Sequence, residues 1–295
     1  MIQGQLEMAE DEATGPQAAF SHLSSRNFRR LADLIEGTCG IRMPPQKKTL
    51  VEGRLRRRTK ALGLAGLNEY CDALFDRGDA GDELIHLIDA ITTNKTDFFR
   101  EEDHFNFLLD TALPQLAAAG CGMRRPLKIW SAACSIGAEP YSLAMVAHHF
   151  AGLQRGFRYS ILATDICTEV LQRAVQGIFP ADMAKPIPGQ FRQRYLMRAK
   201  NKAAGLVRIV PELRTAIEFG RLNLMDDSYP VESDYDIIFC RNILIYFSKP
   251  RQEKVLRQLC GHLRKGGLLF VGHTETVIGF DLPAKAVAPA VFQRI

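Results

Sequence analysis

No apolar run in this chain approaches the roughly 20 residues that a bilayer-spanning helix needs, so a membrane protein is not expected. The opening Met-Ile-Gln-Gly-Gln-Leu-Glu has no basic start and no apolar core, and so no secretory signal is expected. Cysteine is sparse and scattered. The seven, at 39, 71, 121, 134, 167, 240 and 260, are odd in number, with no Cys-x-x-Cys pair and no regular His/Cys spacing. That argues against a disulfide framework and a structural zinc site, and for reduced thiols in a cytoplasmic protein. His148 and His149 are adjacent, which on a helix sets them about 100° apart and makes a poor metal pair. The net charge of +5 is too mild to suggest nucleic acid overall. Residues 1–18 have no Lys or Arg while holding Glu7, Glu10, Asp11 and Glu12, and are read as a disordered acidic tail.

The next absence concerns glycine at residues 127–142, around which the chain is organised. Leu127 to Ser131 reads as a buried strand, Ala132 to Gly137 as a loop of small residues, and Tyr141 to Phe150 as a helix with Pro140 in its first turn. This is the opening unit of a doubly wound α/β domain, whose ligands bind at the carboxyl ends of the strands. A dinucleotide fingerprint needs three glycines, and a phosphate-binding P-loop needs Gly-Lys-Ser/Thr. Here there is one glycine, Gly137, followed two residues later by Glu139. A carboxylate in that turn repels phosphate and welcomes a cation. The ligand suggested is a nucleoside with a positive group and no phosphate, and S-adenosylmethionine fits. The alternative is a βα turn that binds nothing.

With 295 residues, the chain can hold two domains. Residues 19–90 read as helical. Ser25 is placed as the cap of a first helix, with Leu31, Leu34 and Ile35 on one face and Gly40 as its stop. A second helix is expected over Gln46 to Leu62, with Leu50, Val51, Leu55 and Leu62 as its apolar side, and two more at about 67–75 and 80–90. Between Lys47 and Lys60 stand seven Lys or Arg against one acid, Glu52. A solvated face is the ordinary reading. The imbalance favours a docking surface for an acidic partner, with Arg54, Arg56, Arg57 and Arg58 as its centre; nucleic acid and an acidic helical protein are equally compatible with it.

Residues 91–104 are read as a linker that contributes to the ligand site. Asn94, Thr96 and Arg100 precede a helix at Glu102 to Leu109, and Phe98-Phe99 call for burial. Residues 105–295 are read as the α/β domain. Tyr159 to Thr164 is its second strand, with Asp165 at the end; an acid there accepts ribose hydroxyls, or else caps the helix Thr168 to Val175. Residues 191–222 break the rhythm and are read as an inserted antiparallel subdomain, with strands near 192–198, 205–210 and 216–219. Tyr235 to Cys240 is a further buried strand ending in the polar pair Arg241-Asn242. Ser248 caps a helix over Pro250 to Leu263, Gly266-Gly267 turns into Leu268 to Val271, and a last strand covers about 290–295.

Together these residues resemble the chemotaxis receptor methyltransferase family, CheR. The resemblance rests on Thr92-Thr93-Asn94-Lys95-Thr96-Asp97-Phe98-Phe99-Arg100, Trp130 to Ser142, Ala163-Thr164-Asp165-Ile166, Val210 to Arg214, Leu222-Asn223-Leu224 and Cys240 to Phe247, in that order. It implies a Rossmann-like S-adenosylmethionine-dependent methyltransferase domain behind a helical domain, with no metal. The reaction it implies is methyl transfer to glutamate carboxylates of bacterial chemoreceptors, leaving S-adenosylhomocysteine. It implies that Asn94, Thr96 and Arg100 bound the cofactor from the linker, Glu139 holds its ammonium and Asp165 its ribose. Asn223, Leu224, Cys240 and Arg241 would complete the pocket, with Arg100 and Tyr246 facing the methyl group. The basic helix would dock on the receptor's methylation helices, and the β-subdomain, in some members, on a pentapeptide at the receptor's C-terminus. A monomer without nucleic acid is expected. The sequence departs from the family in two places: Ile136-Gly137-Ala138-Glu139-Pro140 replaces the usual Thr-Gly-Glu-Glu-Pro, and the loop Arg198 to Gly205 lacks the inner glycines of the tethering members.

Two other classes compete. An amine-directed base methyltransferase needs Asn/Asp-Pro-Pro-aromatic where this chain has Arg241-Asn242-Ile243-Leu244-Ile245-Tyr246. A non-catalytic adaptor should have lost Glu139, Asp165 or Arg100, and all three are present.

Overall fold

The computed structural model describes residues 22–76, 81–198, 205–277 and 279–295; the acidic tail and most of the loop Arg198 to Gly205 lie outside them. Four helices come first: α1 (Ser25–Cys39), α2 (Lys48–Ala61), α3 (Leu67–Asp76) and α4 (Gly81–Ile91). The cap of α1 is Ser24, not Ser25. Ser24 has the extended backbone a cap needs and its Oγ accepts from the Asn27 amide at 3.0 Å, while Ser25 is already helical. Gly40 ends α1 at φ +75°, donating to the Glu36 carbonyl. The helix expected from Gln46 begins as a single 3-10 turn, Pro45–Lys47, before α2. Val51 and Leu55 are buried, whereas Leu50 and Leu62 are 44% and 43% exposed and are not part of that apolar side.

The linker leads into α5 (Glu102–Phe107), a π-turn over Leu108–Ala112 and α6 (Leu113–Ala118). The α/β domain then runs β1 (Leu127–Ala132), α7 (Ala138–Leu153), β2 (Tyr159–Asp165), α8 (Thr168–Gln176), β3 (Ile178–Pro180), α9 (Gly189–Tyr195), β4 (Leu196–Arg198), β5 (Leu206–Ile209), α10 (Pro211–Arg214), β6 (Ile217–Arg221), β7 (Tyr235–Cys240), α11 (Lys249–His262), β8 (Leu263–Val271), β9 (Ala284–Ala288) and β10 (Val291–Arg294). The main sheet has the order β6-β2-β1-β7-β8-β10-β9. Its first five members are parallel, and β10 and β9 close it as an antiparallel hairpin. The strand order reverses between β1 and β7, which places a ligand crevice at their carboxyl ends.

Four expectations change. Residues 216–219 do not belong to the small sheet: β6 pairs in parallel with β2 at the edge of the main sheet. The third small strand is β3, antiparallel to β5, so that sheet is β3-β5-β4 and starts before residue 191. The segment from Arg192 to Tyr195 is helical, and only Leu196–Arg198 is extended. Nor do Gly266-Gly267 turn the chain into a strand. The helix α11 passes into β8 at Leu263, and the glycines lie where the pairing with β7 shifts register. A Cβ on Gly267 would meet the Arg264 and Asp236 carbonyl oxygens at 2.9 and 3.1 Å. The expected last strand is present as β10, and β9, an additional strand, pairs antiparallel with it.

One hydrophobic cluster covers one face of the sheet with α5 and α7. The other runs from Leu31 and Ile35 of α1 through Leu222 and Leu224 to Trp130, Ile238 and Leu256. The N-terminal helices therefore share a core with the α/β domain, which fixes them against the crevice. All seven thiols are free and buried. Among the described residues, no helix is long and apolar enough to cross a membrane.

Candidate active site

The crevice lies beyond the carboxyl ends of β1, β2 and β7 and is roofed by residues 91–100. Its backbone is unusual. Of the seven non-glycine residues at positive φ among the described residues, Ala133, Ser135 and Asn242 line it, and Phe99 and Glu101 flank the lining residue Arg100, all between +52° and +61°. Strained backbone of this kind persists only where the surroundings hold it. In the loop after β1 the chain turns through Gly137 at φ +94°, where a Cβ would press on Ala174 at 3.0 Å. That tight turn starts α7 directly over β1.

Two acids organise the loop. Asp165 accepts from the Ser135 amide at 2.8 Å and from the Cys167 amide at 2.9 Å. Burial raises its pKa against the lowering effect of those amides. It does not cap α8. That helix starts from Cys167 and has its first amide, Thr168, bonded to Asp89 of α4 at 2.8 Å. Glu139, in the first turn of α7, accepts from Ser131 Oγ at 2.7 Å and from Arg241 Nε at 2.8 Å. The linker is pinned to the same loop by Ser135 Oγ, which donates to the Asn94 carbonyl at 2.9 Å.

Arg241 is the junction between sheet and linker. Its Nη1 donates to the Arg100 carbonyl at 2.8 Å and lies 3.0 Å from His104 Nδ1 and 3.3 Å from Glu101 Oε2. Burial raises the Glu101 pKa, but the Asn242 hydrogen bond and the Arg241 charge outweigh it and leave it below the ordinary value. Glu275 fixes the loop after β7, accepting from the Gly272, Asn242 and Leu244 amides at 2.6, 2.9 and 2.7 Å. Glu101, His104 and His273 bring three ligand-type atoms within 4.8 Å of one another. The Arg241 guanidinium against two of them supplies positive charge where a metal ion would have to sit, so the donor set does not suit one.

Asn94, Thr96, Arg100, Glu139, Asp165, Asn223, Leu224, Arg241 and Tyr246 all line this crevice. Cys240 does not. It is the last residue of β7, fully buried in the second hydrophobic cluster, and burial pushes its thiol far up. Strand alternation turns it into the core while its neighbour Arg241 reaches the crevice. The Asn223 amide is partly committed to structure: its Nδ2 donates to the Thr38 carbonyl of α1 at 2.7 Å. Among the described residues, the one hydrogen bond of the Arg100 guanidinium is a long one, 3.4 Å to the Lys95 carbonyl.

The four arginines of α2 divide into two pairs. Arg54 donates to the carbonyls of Ile91 and Thr92 and to Thr93 Oγ1, tying α4 to the linker. Arg58 forms a forked pair with Glu83. Arg56 and Arg57 are exposed. Lys47, counted in the basic run but not assigned to the site, lines the crevice with its Nζ 5.7 Å from the centre of the Tyr246 ring. Burial, then Arg42 and Arg54, lowers its pKa. Ser135, Asp89, Glu101, His104 and Glu275 were also missed as supports, because each acts on a partner far away in the chain or on backbone.

Comparison with known proteins gives one family twice. "CheR methyltransferase, SAM binding domain" matches residues 94–288, and "CheR methyltransferase, all-alpha domain" matches residues 26–92. The chain is 40% identical over 253 residues to the chemotaxis protein methyltransferase of Salmonella typhimurium, covering 86% of this chain and 84% of that one. It is 36% identical to chemotaxis protein methyltransferase 2 of Pseudomonas aeruginosa, over 92% of this chain and 94% of that one. With the chemotaxis protein methyltransferase of Borreliella burgdorferi it shares 34% identity, over 92% of this chain and 95% of that one.

Proposed function

The chain belongs to the CheR methyltransferase family, and from that premise we propose that it methylates glutamate side chains of bacterial chemoreceptors with S-adenosylmethionine. The observation that carries the cofactor reading is Glu139 beside Asp165 at the mouth of a one-glycine loop. Two carboxylates there fit a ligand that is cationic and carries no phosphate. Glu139 keeps lone pairs beyond those given to Ser131 and Arg241, and these receive an ammonium group. Asp165 likewise spends one position per oxygen on backbone amides and offers the rest to ribose hydroxyls. Asn94 and Thr96 close the pocket from the linker, and Asn223, Leu224 and Arg241 from the sheet.

The bound cofactor supplies an electrophilic methyl on sulfur. This chain's residues supply position. A glutamate with a pKa of about 4.3 is already a carboxylate at neutral pH, so no general base is needed. Arg100 and Tyr246 orient it for in-line attack, and orientation of this kind is worth up to about 7–11 kcal/mol. A guanidinium that bound the carboxylate too well would stabilise the ground state more than the charge-dispersed transition state. The long, weak tie of Arg100 to Lys95 suits a side chain that steers rather than clamps.

Receptor recognition is assigned to the exposed face of α2, where Arg56 and Arg57 meet the acidic methylation helices. The small sheet offers β4 as an edge strand to which an extended receptor tail can add by main-chain pairing. The protein works as a cytoplasmic monomer without nucleic acid.

The test is transfer of radiolabelled methyl from S-adenosylmethionine to chemoreceptor-containing membranes, followed by mild alkali. Label on the receptor that leaves as volatile methanol supports a carboxyl methyl ester. Alkali-stable label, or none, overturns the reading.

A further inference from the structure

His104 is 2% exposed, lies outside the cofactor-lining set, and has no part in the reaction as described. It sits under the crevice on α5, walled by Phe239, Phe270 and His273 at ring-centre distances of 6.4, 5.5 and 4.6 Å, all edge-on. Its Nδ1 is 3.0 Å from Arg241 Nη1. A guanidinium can only donate, so Nδ1 must be the unprotonated acceptor and the ring's hydrogen must sit on Nε2. Among the described residues Nε2 has no partner of good hydrogen-bond geometry, the Pro289 carbonyl acting on it only weakly. A buried imidazole held weakly at one nitrogen while the other meets a guanidinium at 3.0 Å has its position set mainly by that guanidinium contact.

We propose that His104 is a positioning residue, a neutral acceptor that fixes Arg241 between Glu139 and the linker and so shapes the cofactor's ammonium site; this rests on the methyltransferase reading above. Arg241 bridges Glu139 through Nε and the Arg100 carbonyl through Nη1. Glu101 reinforces the Nη1 end at 3.3 Å. Nη1 has two hydrogens and three acceptors, so loss of His104 leaves its second hydrogen to Glu101 alone, at 3.3 Å. The guanidinium then shifts toward Glu101 and draws Glu139 off its setting against Ser131 Oγ. Methyl transfer itself does not touch His104, so the effect falls on binding more than on the chemical step. Burial, then the Arg241 and His273 charges, holds the imidazole neutral at physiological pH, with Glu101 as the one facing acid.

The experiment compares His104→Leu, which removes the acceptor, with His104→Asn, whose Oδ1 restores an acceptor one bond beyond Cγ as in imidazole. S-adenosylhomocysteine binding is measured by calorimetry and turnover on receptor membranes in parallel. We expect His104→Leu to weaken binding by about tenfold or more, with kcat changed much less, and His104→Asn to recover to within about threefold of wild type. If His104→Leu unfolds, His104→Asn decides alone: binding within about threefold of wild type at pH 7 supports the acceptor. Equal binding by wild type and His104→Leu overturns the inference and leaves the methyltransferase reading standing. Failure of His104→Asn to improve on His104→Leu, or to bind when it is folded, also overturns it. Absence of S-adenosylhomocysteine binding in the wild type overturns the cofactor reading and this inference with it.

Discussion

Asp89 of α4 supplies the missing cap of α8: its Oδ1 accepts from the Thr168 amide at 2.8 Å and its Oδ2 from the Thr168 hydroxyl at 2.6 Å. The residue at that helix's own cap position, Cys167, forms no side-chain cap. A residue of the helical domain thus completes a helix of the α/β domain. Asp89→Ala should lower stability by about 1–2 kcal/mol, the ordinary value of a cap. Urea unfolding with an unchanged slope and a lower midpoint is the expected result. A wild-type midpoint would mean that the cap contributes nothing.

Arg100→Ala should separate turnover from binding. The side chain makes little use of protein partners, so its loss costs little stability. We expect kcat to fall by about a hundredfold, the scale for one preorganised charged contact in a transition state. The dissociation constant for S-adenosylhomocysteine should stay within about threefold. Parallel losses in both quantities would remove Arg100 from its steering role.

Glu139→Gln tests charge at constant shape. A glutamine oxygen can still accept from Arg241 while its amide donates to Ser131 Oγ, whose hydroxyl turns to accept, so the loop keeps its shape while the negative charge goes. Affinity for the cofactor should drop about 10- to 100-fold, as for a lost hydrogen bond to a charged group. Calorimetry against S-adenosylmethionine reads this directly, and unchanged affinity would show that the ammonium is held elsewhere.

The legible parts of this molecule were those whose signal is local. The strands β1, β2 and β7 lie in the middle of a mostly parallel sheet and read as short apolar runs for that reason. The chain leaves them at the crevice, so Asp165, last in β2, and Arg241, one residue past β7, could be placed from position in the chain. Ile178–Pro180 was illegible as a strand because it is three residues long and ends in proline. The strand Ala284–Ala288 shows no alternation, since its middle three side chains are all exposed. Support for the site was harder still. Arg54 looks like any other member of a basic run until its partners, 37 to 39 residues away, are seen. Cys240 adjoins Arg241 in sequence, yet a one-residue step in a strand is the difference between core and crevice.

His104 also sets a pH dependence. Its ordinary pKa of 6.5 is lowered to about 4 by burial, then by Arg241 and His273, against the raising effect of Glu101. The unfolded chain therefore binds more protons than the folded one between these values. Stability is fully present above pH 6.5 and is lost as pH falls toward 4, by on the order of 3 kcal/mol for this one group. Glu101, with its pKa below the ordinary value, acts in the same direction at lower pH. Urea titrations of wild type and His104→Asn at pH 7 and pH 5 check the sign: the wild type should lose more stability over that interval. An equal loss would assign the acid sensitivity to other groups.

The two pairs of arginines on α2 should fail in different ways. Arg56 and Arg57 are exposed and, among the described residues, bond to nothing that fixes the fold, so reversal of both to Glu should leave stability and cofactor affinity unchanged. What should change is recognition of an acidic receptor helix. We expect KM for receptor to rise about three- to tenfold at low salt, with the difference shrinking as salt screens it. Arg58→Glu instead breaks the forked pair with Glu83 and sets two acids against each other, so its cost should appear in urea unfolding first. Arg54→Ala removes the donors from the end of α4 and from Thr92 and Thr93 of the linker. Its effect should reach S-adenosylhomocysteine binding, because those linker residues line the crevice. Receptor KM that does not respond to Arg56 and Arg57, under conditions where Arg54→Ala does weaken the cofactor, would move the docking surface off α2 while leaving its structural role intact.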